Sequence, residues 1–247
     1  MTTPEAFEAV SEDWDTALAV VAHPDDLEFG AAAAIARWTG QGKRVVYCLL
    51  TSGEAGIDGI EPERCRKIRE AEQRESARIV GVSEVEFLGQ PDGVLEYGVA
   101  LRREIARVVR RHRPEIVITG NFRDTWPRGG LNQADHIACG RATLDAVRDA
   151  GNRWVFPEQI RDEGLEPWGG VREVWAAGSP GGRHAVDITE TFQAGVDSLK
   201  AHQAYIDGLG WEHFDPAEFL EGVSRQAGTR LGVPMAVSFE VFNLGWG

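Results

Sequence analysis

The chain is poor in sulfur and in positive charge. It holds three cysteines and two methionines in 247 residues. Cys48, Cys65 and Cys139 are odd in number, and no two stand in a C-x-x-C spacing. That argues against a disulfide framework and for a reducing, cytoplasmic setting. Cys48 lies inside an apolar run and reads as a buried thiol. Only 26 Lys and Arg face 39 Asp and Glu, a net charge of -13. Such a chain repels phosphate backbones and anionic lipid surfaces, so neither nucleic acid nor a membrane is the expected partner. No apolar run reaches membrane-spanning length. The acidic opening MTTPEAFEAVSEDWD lacks the apolar segment of a secretory signal. Repeats, low-complexity tracts and linkers are absent too, and residues 1–247 are expected to form a single domain.

What is present alternates. Apolar runs at 16–22, 44–52, 85–89, 115–121 and 171–178 read as strands, with a last strand expected at 236–242. Helical spacing predicts helices over 30–42, 61–81, 100–114, 134–151 and 189–208. Strand–helix alternation implies an α/β fold, Rossmann-like, with a mostly parallel sheet and helices on both faces. Segments 121–133 and 152–170, rich in Gly, Pro and Trp, are long loops, which in compact domains tend to carry function. Six arginines from Arg102 to Arg113 crowd one helix. They read as a solvated face that complements the helix C-terminus.

Ligands of open α/β sheets sit outside the carboxyl ends of the strands. There, after the first long strand, the sequence VVAHPDDLEFG places His23, Asp25 and Asp26. A neutral imidazole and a carboxylate suit a borderline divalent ion such as zinc. A dinucleotide turn is excluded, because no G-x-G-x-x-G follows and carboxylates repel a pyrophosphate. Helix capping is the competing role for Asp25 or Asp26. A second cluster, NQADHIACG at 132–140, brings Asp135 and His136 to the same edge. His23, Asp26 and His136 would make three N/O ligands with an open position, the pattern of catalytic metal sites. Ser52 and Cys48 lack a histidine–acid partner, which disfavours a covalent nucleophile.

At these residues the chain resembles the PIG-L/LmbE-like N-acetylglucosaminyl deacetylase family, in its actinobacterial type. AHPDD (22–26) resembles the first motif and ADH (134–136) falls in the second. TSGEAG (51–56), the R-x-x-E of Arg69 and Glu72, FLGQPDG (87–93), EGLEPW (163–168), HAVDIT (184–189) and KAHQAY (200–205) extend the similarity over roughly residues 16–242. The resemblance implies a zinc-type metal on His23, Asp26 and His136, with Asp25 as general base. It implies Asp135 as a supporting partner, and Arg69, Asp92 and His202 as substrate contacts. The expected reaction is hydrolysis of an N-acetyl group on a sugar conjugate of the glucosamine kind. The alternatives are a non-catalytic sugar- or metal-binding homologue, and an amidase acting on a thiol conjugate or another acyl amide. Gln133 departs from the pattern, since many members have histidine there, thought to support the oxyanion. Glutamine donates a hydrogen bond without charge, and His184 or His202 would be the substitutes. Trp126, Trp154, Trp168, Trp175 and Trp211 are candidate faces for sugar stacking. The resemblance also raises the expectation of a homo-oligomer.

Overall fold

The computed structural model describes residues 5–245. In chain order the elements are β1 (Glu8–Ala9), β2 (Thr16–Val21), α1 (Ala32–Gly40), β3 (Arg44–Leu49), α2 (Pro62–Ile79), β4 (Glu84–Phe87), α3 (Val99–His112) and β5 (Ile116–Gly120). Then follow α4 (Ala134–Gly151), α5 (Pro157–Arg161), β6 (Glu173–Ala177), β7 (His184–Asp187), α6 (Phe192–Lys200), α7 (Gln203–Gly208), α8 (Pro216–Leu231) and β8 (Ala236–Asn243). The strands form one sheet in the order β1-β7-β8-β6-β5-β2-β3-β4. β2 lies between β3 and β5 and is parallel to both, while β8 runs antiparallel between β6 and β7. This is the mostly parallel Rossmann-like sheet expected from the alternation.

Strand side chains point to alternate faces, and both faces are buried. Ala17, Ala19 and Val21 pack with Ile35 and Trp38 of α1, whereas Leu18 and Val20 pack with Ile105 of α3 and Ala142 of α4. The alanine run of α1 keeps that helix thin. A Cβ at Gly195 of α6 would stand 2.7 Å from Ala33 Cβ, so α6 crosses α1 only with glycine there.

Four expectations change. The helix expected over 189–208 is two helices, broken where His202 turns its ring into the interior. The loop at 152–170 contains α5. The strand β7 and the helix α8, not anticipated, complete the far side of the sheet. And Arg110, one of the six arginines, is buried rather than solvated. It donates to Asp149 O, Ala150 O, Asn152 O, Val155 O, Phe156 O and Gln159 Oε1, tying off the C-terminus of α4. No described helix is long and apolar enough to cross a membrane.

Candidate metal centre at the carboxyl edge of the sheet

β2 ends at Val21 and the chain then folds back on itself. His23 N donates to Asp26 Oδ2 at 2.9 Å. Between them Asp25 takes φ of 88°, a conformation that costs a non-glycine residue energy and is retained where surrounding structure enforces it. The enforcement comes from α2. Gln73 accepts from Asp25 N at 3.0 Å, and Arg69 donates to Pro24 O and, at 3.1 Å, to Asp25 Oδ2. Arg69, Gln73 and Ser76 lie four and three residues apart on one buried face of α2.

α4 brings the second half. His136 Nε2 lies 3.0 Å from Asp26 Oδ1, and His23 Nδ1 lies 3.8 Å from the same oxygen. The donor atoms of His23, Asp26 and His136 all fall within 4.8 Å of one another, and so do those of His23, Asp92 and Asp135.

Neighbouring hydrogen bonds set the tautomers. Asn132 Nδ2 donates to Asn121 O and Arg123 O, so Asn132 Oδ1 is left to accept from His136 Nδ1 at 2.9 Å. The lone pair of His136 is therefore on Nε2, facing Asp26. His23 Nε2 lies 3.2 Å from Asp135 Oδ2 and 3.1 Å from Asp92 Oδ1, which places its proton there and its lone pair on Nδ1. A carboxylate behind a ligating histidine is the usual support in metal sites. Asp135 also accepts from Gly93 N and Leu95 N, so its position is fixed from three sides.

The electrostatics favour a cation. Burial pushes the His23 imidazole toward its neutral form, but hydrogen bonds to Asp135, Asp26 and Asp92 outweigh it and raise its pKa well above 6.5. Burial also raises Asp26, yet His136 and His23 together hold its carboxyl well below the usual range. Three carboxylates thus converge on two imidazoles. The chemistry that attracts protons here equally suits a divalent ion, whose binding would release them. Asp25 differs. Burial raises its pKa, the Arg69 charge lowers it, Asp26 raises it again, and the result is about 6.

The remaining expected residues are distributed unevenly. Asp92 stands beside His23 and accepts from Ala55 N at 2.8 Å. Arg69 is 2% exposed, so it is placed to hold Asp25 and has almost no surface for a substrate. His202 is fully buried, 3.6 Å from Glu28 Oε2, which corrects the expectation of a substrate contact: its ring has no accessible face. Gln73 ties it indirectly to the site, bonding Glu28 Oε1 at 2.9 Å while accepting from Asp25 N. Gln133 is the N-cap residue of α4, exposed, with no side-chain capping bond. His184, on edge-proximal β7, faces Glu8. Of the tryptophans, Trp175 is core, Trp168 donates to Pro114 O, and Trp154 and Trp211 are exposed. Trp126 lies 5.9 Å from the His136 ring and lines an apolar cavity of about 70 Å³ beside Asp26 and His136. Sequence reading passed over Gln73, Glu28 and Asn132. The polar stripe of α2 at helical spacing was the available signal for Gln73.

Fold and site define an α/β protein with a two-histidine, one-carboxylate candidate metal centre at the carboxyl edge of a mostly parallel sheet. Residues 18–147 match the PIG-L family, described as GlcNAc-PI de-N-acetylase. The chain belongs to that family. It is 31% identical over 205 residues to diacetylchitobiose deacetylase of Thermococcus kodakarensis, covering 81% of this chain and 73% of the relative. It is 28% identical to mycothiol S-conjugate amidase of Streptomyces coelicolor, covering 61% of this chain and 57% of that one. The fold superposes with a TM-score of 0.85 on N,N'-diacetylchitobiose deacetylase from Pyrococcus horikoshii, at 23% identity over 94% of this chain and 85% of the other.

Proposed function

We propose that the chain is a cytoplasmic, zinc-type metal-dependent hydrolase that removes the N-acetyl group from a glucosamine-type sugar conjugate. The observation that carries this reading is Asp25. It is a buried carboxylate with a pKa near 6, held at positive φ beside the converging His23, Asp26 and His136 of a chain in a de-N-acetylase family.

His23 Nδ1, Asp26 Oδ1 and His136 Nε2 would hold the ion, since their lone pairs face one another. The second group, with Asp92 and Asp135, is already engaged by backbone N–H donors. A divalent ion held there would supply water activation, lowering the water pKa from about 15.7 to about 7, and carbonyl polarisation. Asp25 accepts the proton of the attacking water and returns it to the departing amine nitrogen. A pKa near 6 leaves it mostly ionised at neutral pH, yet basic enough to take that proton. Asp135 orients His23, and Asn132 orients His136. Asp92, on the loop after β4, stands on the polar side of the cleft where sugar hydroxyls would find an acceptor. Gln133, at the N-terminus of α4, would support the oxyanion with a neutral donor.

Metal-loaded protein should release acetate from N,N'-diacetylchitobiose or another N-acetylglucosamine conjugate. Asp25→Asn should keep the metal and lose nearly all turnover, whereas Asp26→Asn should lose metal. Turnover of a mycothiol-type amide without acetate release from any sugar would move the assignment to an amidase. Full metal binding with no amide cleaved would leave a binding protein.

A further inference from the structure

The small cavity beside Asp26 and His136 does not end there. Its walls are apolar, including Val21, Ala22, Leu27, Cys139 and Ala177. Four of its lining residues, Phe29, Gly30, Trp126 and Gly178, also line a groove of about 430 Å³. That groove lies among α1, α6, α8 and the start of β8, walled by Ile188, Phe192, Leu220 and Val223. Its volume falls within the usual range for a small-molecule site. Trp126 roofs the junction: a Cβ on Gly178 would sit 3.5 Å from its ring.

The strand order separates two chemistries. Toward β4 the candidate centre is bordered by Asp92, which lies 3.1 Å from His23 Nε2 and whose backbone N–H donates to Glu54 Oε1 at 3.0 Å, so two carboxylates meet on that side. Toward β5, β6 and β8 it is bordered by the apolar cavity and the groove. The two substituents of a planar trans amide leave the C–N bond in opposite directions. With the reacting carbonyl at the centre, a hydroxyl-rich amine points to the carboxylates and its acyl group points into the apolar side. An acetyl group fills only the small cavity and leaves the groove without a role.

We infer that the groove is an acyl-chain subsite, and that the chain hydrolyses N-acylglucosamines bearing straight medium-length chains as well as N-acetyl ones. This rests on the hydrolase reading above and extends its acyl range. In the step, water supplies an oxygen to the acyl carbon, the C–N bond breaks, and the products are a fatty carboxylate and the protonated amine. Each methylene buried in the groove should raise affinity roughly fourfold until the groove is full.

The test is a series of acetyl, butanoyl, hexanoyl and octanoyl glucosamine amides. Hydrolysis is followed by amine release and binding by calorimetry, both with metal-loaded full-length protein. Two variants accompany the wild type. Gly30→Val narrows the junction, where a Cβ meets Ala177 Cβ and Asp26 O at ordinary contact distances of 3.5 Å. Val223→Glu places a charge on the half-exposed far wall. The expected result is hydrolysis across the whole series in the wild type, with the octanoyl-to-acetyl ratio of kcat/KM falling at least tenfold in each variant. Acetyl hydrolysis with no octanoyl hydrolysis or binding overturns the inference and leaves the deacetylase reading standing. Octanoyl binding that weakens in both variants, with no amide cleaved, supports the subsite and overturns the catalytic reading. A ratio unchanged in both variants overturns the subsite, as does self-association that buries the groove and excludes the octanoyl amide.

Discussion

Arg69 Nη2 donates to Asp25 Oδ2 across 3.1 Å, and both side chains are buried. The pair sets the proton affinity of the proposed base from two directions. Burial raises the Asp25 pKa and the guanidinium lowers it. Arg69→Gln removes only the lowering charge, so Asp25 should bind protons more tightly. A base works when ionised, so the acidic limb of kcat/KM should move to higher pH, with a larger loss of rate at pH 6 than at pH 9. Stability should also fall, by about 3–5 kcal/mol, because a buried carboxylate loses its partner. A pH–rate profile checks the first effect and urea unfolding the second. A limb that stays in place would separate the base from Asp25.

The supporting bonds to the two histidines make a separate prediction. Asp135→Ala removes one of the two acceptors behind His23 and frees the other, Asp92, to shift, and Asn132→Ala removes the one behind His136. Each should weaken metal binding roughly 10- to 100-fold while the three ligand side chains remain. Competition against a chelator of known affinity measures this. Affinity unchanged in both variants would mean the tautomers are set by something else.

Gln133 provides a contrast within the same site. It is exposed, without a capping bond of its side chain, so Gln133→Ala should change stability by less than about 0.5 kcal/mol. Its rate cost should be smaller than that of Asp25→Asn, because it removes one neutral donor and no proton acceptor. Gln133→His should introduce a new titration near the imidazole pKa of about 6.5. A rate loss in Gln133→Ala as deep as in Asp25→Asn would give Gln133 a larger part than a neutral donor.

The parts of this architecture that were legible in the sequence are those governed by local pattern. β2, α2 and α4 follow from apolar periodicity, and the clusters around His23 and His136 from their place after strands. α8 was legible but passed over: Asp215 caps it with bonds to Ala217 N and Glu218 N, Pro216 begins it, and Gly232 ends it at positive φ. Other features depend on distant residues. The four residues of β7 become a strand only by pairing with β1 on one side and β8 on the other. The helix break at His202 answers to Glu28, far away in sequence. The role of substrate contact for Arg69 rests on the family resemblance alone. Burial beneath the TSGEAG loop, which no local pattern records, gives it the task of holding Asp25.

Glu28 and His202 supply a pH dependence of stability. Burial lowers the His202 pKa, but Glu28 outweighs it, and the folded value lies above 6.5. Its contribution is therefore complete below pH 6.5 and is lost as pH rises through the folded value. Burial raises Glu28 while His202 and Ser76 pull it below 4.5, so its contribution is complete above pH 4.5 and is lost as pH falls through the folded value. The pair supports the fold most fully between those limits. His202→Gln should lower stability at pH 6 and flatten the decline of unfolding free energy from pH 6 to pH 9. An equally steep decline in the variant would assign it to another group.

The glycines of TSGEAG make the last prediction. A Cβ on Gly56 would lie 2.2 Å from Arg69 Nη1, although Gly56 itself needs no positive φ. A clash with the end of a long side chain is relieved cheaply when that end can swing into solvent. Here it cannot, because Arg69 is 2% exposed, lies 3.9 Å over the Tyr205 ring and is bonded to Pro24 O and Asp25. Gly56→Ala should therefore displace the guanidinium from Asp25 and act at a distance as a partial Arg69→Gln. The acidic limb of the rate profile should shift upward, by less than in Arg69→Gln, and metal affinity should be nearly unchanged because no ligand or supporting bond is touched. The double variant Gly56→Ala with Arg69→Gln should shift no further than Arg69→Gln alone, since the charge that the methyl displaces is already gone. Additive shifts would show that the loop acts on Asp25 by a route that does not pass through Arg69.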